Sequence, residues 1–314
     1  MRPFKHIQAS SLEEAASLAS REGVMVIAGG TDLLGTLKDE CLPWYPNYIV
    51  DLKTIPGLDE IREEDGELVI GTLVKLQDIA DSELVRTHAQ ALAEACSRAA
   101  SPAIRSMGTI GGNVCQMHRC WYFRCPENRF VCARKGGKEC YAYKGDNRYH
   151  SILGIEENCL AASSHDSAPA LVALGATMVT TDREIPAEEF FMANGCKSHV
   201  MEDGELLKEI RVPKTQNSRF EKLALRKSID FPLVNCAVAE DAGGLVHIVL
   251  GACYPSPKRM TEAEEAVRSG ITEASAQAAG DAAVSKVMVL SHNEYKVEMA
   301  RTLVKRTLLR LVNE

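Results

Sequence analysis

Six cysteines fall between residues 115 and 159 of a 314-residue chain that holds eleven. They are Cys115, Cys120, Cys125, Cys132, Cys140 and Cys159, with the spacing C-x4-C-x4-C-x6-C-x7-C-x18-C. Crowded thiols in a polar, glycine-bearing stretch have three readings: a metal or cluster site, a disulfide knot, or accident. The N-terminus, MRPFKHIQASSLEEAA, lacks the apolar core of a signal peptide, so the chain reads as unexported and cytoplasmic. Structural disulfides are rare in a reducing cytoplasm, which demotes the knot. Thiolates are soft ligands, suited to zinc and to iron–sulfur clusters. The spacing matches neither a C-x2-C-x2-C ferredoxin run nor a zinc finger, so by itself it leaves those two metals equal. His118, His150 and His165 lie close by in sequence, either as ligands or in surface or supporting roles. Cys41, Cys96, Cys196, Cys236 and Cys253 sit in separate segments and read as core or incidental residues.

Two glycine segments are the other candidates for chemistry. VIAGGTDLL, residues 26–34, reads as a strand that stops at paired glycines, where backbone N–H groups can approach an anion because no Cβ intervenes. Thr31 adds a hydroxyl. A Gly-Gly after a strand is also an ordinary turn. SMGTIGGNVC, residues 106–115, repeats the pattern, and two such segments could converge on one diphosphate. Neither is a G-x-x-x-x-G-K-[ST] loop or a G-x-G-x-x-G fingerprint, so no triphosphatase or Rossmann site is indicated.

The surrounding elements must hold these segments. SLEEAASLASRE, residues 11–22, spaces Leu12, Ala15, Ala16 and Ala19 on one helical face, with Ser10 or Ser11 as N-cap. Strands are expected at Val24–Ala28 and in NYIVDLK, and GELVIGTLVKLQDIADS reads as a strand, a turn and a helix start. ELVRTHAQALAEACSRAAS reads as one helical segment ending before Pro102. SAPALVALGATMVTTD reads as a helix, a turn at Gly175 and a strand. A composition shift near 213–220 opens a C-terminal unit of strands and alanine-rich helices, closed by an amphipathic helix in NEYKVEMARTLVKRTLLRLVNE. Without a regular βαβ alternation, the class is α+β. A net charge of −7 gives no reason to expect nucleic acid, and no apolar run is long enough for a membrane span.

VIAGGTDLL, GTIGGNV and SSHDSAPALVALGA, in that order, resemble the FAD-binding subunit of the xanthine dehydrogenase/molybdenum hydroxylase family. The likeness covers essentially the whole chain, including LLKEIRVP and KLALRKSIDFPLV. It implies a two-subdomain FAD-binding domain of the PCMH/VAO type over 1–212, split at about residue 55, and a smaller C-terminal α/β domain over 213–314. Carried onto this sequence, Ala28, Gly29, Gly30, Thr31, Asp32 and Leu33 would wrap the FAD diphosphate with backbone donors. Thr109, Gly112 and Asn113 would do the same from the second subdomain. Asp166 would accept from ribose hydroxyls, as suits an acceptor-only carboxylate. Leu207 would pack near the isoalloxazine and Lys222 would lie close to the flavin. Asp166 also reads as an N-cap for the following helix, and Lys222 as an exposed strand residue. No residue is nominated as an acid or base.

In ordinary members of the family the GGN motif is followed closely by D-x-x-P. Here 52 residues separate Asn113 from Asp166, an insertion of roughly 40 residues over about 115–159, long for a structureless loop. It offers little apolar material for a core, so a cluster held by four thiolates is expected to organise it. This departure resembles the flavin subunit of 4-hydroxybenzoyl-CoA reductase, which carries an extra [4Fe-4S] cluster in such a loop. By that resemblance the ligands are Cys120, Cys132, Cys140 and Cys159, leaving Cys115 and Cys125 as non-ligands. The implied protein is an electron-transfer subunit whose partners carry the molybdenum cofactor and [2Fe-2S] clusters, in a dimerised heteromeric complex with ferredoxin or NAD as redox partner. Reductive dehydroxylation of an aromatic acyl-CoA would be the reaction of the whole. An NAD-linked xanthine or aldehyde hydroxylase and a zinc-binding scaffold are the alternatives.

Overall fold

The structure, a computed structural model, describes residues 1–215 and 217–313. It opens with a small parallel sheet of Lys5–Gln8 (β1), Val24–Ile27 (β2) and Tyr48–Asp51 (β3), in the order β1-β3-β2. Parallel strands need a crossover, and the helix Leu12–Ala19 supplies one between β1 and β2. Ser11 caps that helix by accepting from the Glu14 N–H, while the Glu14 carboxylate accepts from Ser10 N at 2.8 Å. Ala9, Ala15, Val50 and Leu52 form the core under this layer, joined by Leu73 and Leu206 from the next one.

The second sheet is antiparallel, with order β4-β5-β8-β6-β7. Its strands are Ile61–Glu64 (β4), Glu67–Gly71 (β5), Thr177–Thr180 (β6), Glu184–Pro186 (β7) and Leu207–Pro213 (β8). Helices Leu76–Asp81, Glu83–His88, Gln90–Arg98 and Ser167–Ala173 contribute to its core, among them Ile79, Leu92 and Leu171. A four-stranded antiparallel sheet follows, built from Asn217–Leu223 (β9), Val234–Glu240 (β10), Val246–Gly251 (β11) and Lys258–Arg259 (β12). The helices Thr261–Ala266, Glu273–Ala283 and Tyr295–Asn313 share its core, with Leu303, Val304 and Leu308 fully buried.

Two expectations need correcting. The helix expected over 83–101 breaks at Ala89 into two, with φ −149° and ψ 58° at the break. Neither Gly nor Pro causes this; partners from the C-terminal half satisfy the exposed ends. Thr215 Oγ1 donates to the His88 carbonyl at 3.0 Å, and Ser218 Oγ accepts from Ala91 N at 3.0 Å. The cysteine-rich insertion also has packing of its own. Its described residues form short 3₁₀ turns at Pro126–Asn128, Ala133–Lys135 and Tyr141–Tyr143. Phe123, Ala142 and Ile152 are fully buried, and Tyr122, Phe130 and Tyr141 stack edge-on at 4.9 to 5.3 Å. Buried Asn147 donates to Ala142 O and to Ser291 Oγ and accepts from His292 N, tying the loop to the C-terminal unit. A cluster is therefore not the only thing that can organise this segment.

Candidate functional site

The two glycine segments meet. A Cβ on Gly29 would lie 2.2 Å from the Met107 carbonyl oxygen, so only glycine allows the first turn to touch the second segment. Gly30 then turns the chain with φ +73°, and the helix Leu33–Lys38 begins. Across the gap, Gly111 packs so tightly on Thr72 that any Cβ would overlap its hydroxyl. Between the segments runs a crevice of about 390 Å³, lined by residues 28–33 on one side and by Gly108, Thr109, Gly112 and Asn113 on the other.

The donors in this crevice differ from the expectation in one respect. The N–H groups of Gly29, Gly30, Thr31 and Asp32 donate to no acceptor among the described residues, leaving them open to an anion. In the second segment Thr109 is the N-cap of the helix Ile110–Val114: its Oγ1 accepts from Gly112 N at 3.1 Å and its carbonyl from Asn113 N at 2.8 Å. The N–H groups of Gly112 and Asn113 are thus already used. Gly112 offers instead a bare wall, because a Cβ there would meet only Thr109 Oγ1 within 4 Å. The Asn113 side-chain oxygen is taken by Ser167 Oγ at 2.6 Å.

Asp166 lines the crevice and stands at the N-cap position of the helix Ser167–Ala173, but its side chain makes no cap hydrogen bond. Its two oxygens receive Lys222 Nζ at 2.6 Å and Asn235 Nδ2 at 3.0 Å. Burial pushes its carboxyl above the ordinary range, opposed by the Lys222 charge and by these hydrogen bonds. Lys222 is neither exposed nor a wall of the crevice; its ammonium is spent on Asp166 and on the Arg98 carbonyl. Leu207 lies elsewhere again, in an adjoining cavity of about 320 Å³. The two cavities share Met25, Val26, Ala28, Gly112, Cys115 and Met117, so they flank one wall.

The crevice and the insertion are bound together by arginines that no motif in the sequence singles out. Arg119 and Arg124 reach the Asp32 carboxylate at 2.8 and 2.9 Å. The only signal for them was an acid in a glycine turn facing a basic loop. Asn235 was equally silent, as were Ile229 and Phe231, which also line the crevice.

Among the thiols, Cys120, Cys140 and Cys159 are neighbours. Burial pushes the Cys120 thiol up to about 12, and Cys159 and Cys140 push the same way. Burial likewise raises Cys159 to about 11, with Arg134 pulling it down and Cys140 pushing it up. Cys132 is also raised by burial, with Cys140 beside it. Cys140 thus acts electrostatically on the other three expected ligands, but Cys196 acts on Cys132 in the same way, and among the described residues no three His, Cys, Asp or Glu side chains converge closely enough to hold a metal ion. Cys115 instead forms part of the crevice wall. Cys196, expected to be incidental, packs in one small core with Cys132 and Phe123. Lys135, whose ammonium is disfavoured by burial, has Cys132, Cys41, Cys196 and Cys125 around it. Of the histidines, His150 lies 3.3 Å from Cys120 Sγ, while His165 is occupied by Ser163 and the Gln116 carbonyl.

Residues 2–215 match the family described as the FAD binding domain in molybdopterin dehydrogenase, and residues 219–311 the CO dehydrogenase flavoprotein C-terminal domain. The chain belongs to this flavoprotein family. It is an oxidoreductase subunit, the FAD-binding member of the molybdenum hydroxylase type. It is 31% identical to the aldehyde oxidoreductase FAD-binding subunit PaoB of Escherichia coli, across 100% of this chain and 98% of that one. Identity is 27% with the carbon monoxide dehydrogenase medium chain of Hydrogenophaga pseudoflava, over 97% and 96% of the two chains. The solved carbon monoxide dehydrogenase of that organism superposes with a TM-score of 0.76 at 26% identity, covering 99% of this chain and 98% of that chain. No helix among the described residues is long and apolar enough to cross a membrane.

Proposed function

We propose that this chain is the FAD and [4Fe-4S] electron-transfer subunit of a heteromeric molybdenum enzyme, working beside a molybdenum-cofactor subunit and a [2Fe-2S] subunit. The observation that carries the flavin half is the meeting of the two glycine segments around a crevice whose first wall presents unpaired N–H donors. Residues Ala28–Leu33 hold the diphosphate by their backbone, Thr109 and Asn113 shape the opposite wall, and Gly112 leaves room for the ligand. Asp166, held by Lys222 and Asn235, keeps a fixed carboxylate toward the ribose; Leu207 packs at the flavin end. Bound FAD takes up electrons in pairs or singly, joining two-electron chemistry to one-electron carriers. We draw the flavin-binding unit at 1–212 and the C-terminal unit at 213–314, supported by the end of β8 at Pro213 and the start of β9 at Asn217.

The cluster half rests on the thiols themselves: burial raises Cys120, Cys132 and Cys159, and the half-buried Cys140 acts electrostatically on all three. Burial disfavours free thiolates there, and a metal cluster supplies the positive charge that stabilises them. Held by these four thiolates, such a cluster would supply one-electron transfer between the flavin and an external carrier such as ferredoxin.

For the whole enzyme, the cysteine insertion supports reductive dehydroxylation of 4-hydroxybenzoyl-CoA or a similar aromatic acyl-CoA. The full-length likeness to an aldehyde oxidoreductase subunit favours a second reading, oxidation of an aldehyde with electrons leaving through the flavin to NAD or a ferredoxin. Purification of the complex from its host decides both levels. Flavin bands with a broad iron–sulfur shoulder and about four irons per chain are expected. A colourless zinc protein would overturn the proposal. Turnover with benzaldehyde against 4-hydroxybenzoyl-CoA separates the two reactions.

A further inference from the structure

Resting on the flavin reading above, we infer that His199 binds the isoalloxazine ring of FAD, donating its Nε2–H to an acceptor on the edge of that ring. His199 lines the cavity of about 320 Å³ that adjoins the glycine crevice and includes Leu207. Met25, Leu42, Trp44 and Met201 give this cavity largely apolar walls. Such a cavity suits a flat ring system with polar atoms on its edge, provided that a few polar groups face it. Lys197 and Glu205 line the same cavity but are taken. Lys197 Nζ donates to Asp203 at 2.6 Å and to the Met201 carbonyl at 3.1 Å, and Glu205 accepts from Thr180 and Arg183. His199 makes no hydrogen bond through either ring nitrogen among the described residues.

The imidazole is 9% exposed and is held from two sides. It stacks on the fully buried Phe190, with ring centroids 5.7 Å apart and planes 24° from parallel. Its backbone sits in a narrow loop closed by Met192 N to the Ser198 carbonyl at 3.3 Å and by Val200 N to the Phe190 carbonyl at 3.0 Å. Arg134 of the insertion clamps that loop through the Gly195 and Lys197 carbonyls. Nδ1 is enclosed there without a partner, whereas Nε2 is left open on the cavity that the ring lines. A buried N–H without an acceptor is the costlier orphan, so the one proton of a neutral imidazole resides on Nε2. Burial, helped by the Lys197 charge, pushes the group down to about 4, which keeps the imidazole neutral at pH 7. Isoalloxazine offers acceptors at N1, N5 and two carbonyl oxygens. A neutral donor fixed beside the ring engages one of them without the cost of burying a charge.

The test uses the full chain, stripped of flavin and titrated with FAD or with ADP, which carries the adenine, ribose and diphosphate but no ring. In His199→Leu the Kd for FAD should rise about 2- to 10-fold, while that for ADP stays at the wild-type value. His199→Gln, which keeps an N–H donor, should recover part of the loss. Unchanged FAD affinity in His199→Leu, or equal weakening of FAD and ADP, overturns the inference. Should the Leu variant not fold, the wild-type chain labelled with ¹⁵N-histidine gives the answer by NMR. An Nε2–H signal, assigned by its absence from His199→Gln, should exchange slowly with water when FAD is bound and rapidly when it is not. Exchange that FAD leaves unaltered, or a proton found on Nδ1 instead, overturns it. A wild-type chain that binds neither FAD nor ADP sinks the flavin reading itself, which distinguishes the two failures.

Discussion

Arg124, near the start of the cysteine-rich insertion, holds the Asp32 carboxylate of the first glycine turn at 2.9 Å. The same guanidinium donates to Thr36 Oγ1 and to the Met117 and His118 carbonyls. One side chain therefore fastens the loop to the wall of the crevice. Arg124→Leu should lower stability by about 1.5–3 kcal/mol, the range for hydrogen bonds to a charged group. It should also speed FAD release. Urea denaturation and flavin fluorescence after dilution read these two effects; no change in either would show that loop and crevice are uncoupled.

Gly112→Val tests the crevice at a point where an added Cβ would stand 3.1 Å from Thr109 Oγ1, which must yield slightly, with no other non-local protein atom within 4 Å. The purified variant should keep its circular dichroism and lose FAD. Gly30→Val should lose FAD too, but at φ +73° it also strains the backbone by about 1–2 kcal/mol. Stoichiometric flavin on gel filtration in the Gly112 variant would refute the assignment.

Lys222→Met would leave Asp166 buried without its cation, at a cost of about 3–5 kcal/mol. If the ion pair is the reason for Lys222, adding Asp166→Asn should restore part of that loss, as measured by a double-mutant cycle. Strictly additive losses would argue that Lys222 acts elsewhere.

Serine at Cys120, Cys132, Cys140 or Cys159 should each remove most of the iron and the reduced-state EPR signal. Serine at Cys115 or Cys125 should leave both. Cys196→Ser is the most informative control, because Cys196 packs in the same small core as Cys132. Loss of iron in Cys125→Ser or Cys196→Ser, with iron kept in Cys159→Ser, would mean a different ligand set.

Acid should weaken the fold over a defined window. Burial lowers His165 and His199 to about 4 from an ordinary 6.5, so both are neutral in the folded chain at pH 7. Between these values the unfolded chain binds protons that the folded chain excludes. Stability is then full above about pH 6.5, falls as the pH drops, and levels out below about pH 4. Each histidine contributes up to about 3 kcal/mol over that window. Urea midpoints measured across it should flatten in a His165→Gln, His199→Gln variant; an unaltered slope would assign the acid sensitivity to other groups.

Local pattern was sufficient for much of this. The helix Leu12–Ala19 with its Ser11 cap, the strand ending before Gly29, and the Ser167–Ala173 helix followed by a Gly175 turn are all written in residue order. Convergence of the glycine segments was also legible, because paired glycines at both places imply close backbone approach. What escaped is non-local. The break at Ala89 depends on hydroxyls more than a hundred residues away, and the partners of Asp32 and Asp166 come from other segments. The insertion's own core was missed because its aromatic residues are interleaved with charged ones, which gives no periodicity to detect.

The hydroxyls that close the broken helix bear on how such subunits can recombine. Thr215 follows β8 and Ser218 lies in β9 of the C-terminal sheet, and both complete helix ends in the flavin-binding part. Glu94 of the same helix accepts from Phe220 N at 2.7 Å and pairs with Arg310 near the chain's end. A chimera joined at residue 213 inherits the foreign partner's chemistry at each of these positions. An incoming segment without hydroxyls at 215 and 218 or an arginine at 310 would leave these helix ends and Glu94 without these partners, so the two halves recombine best as a matched pair.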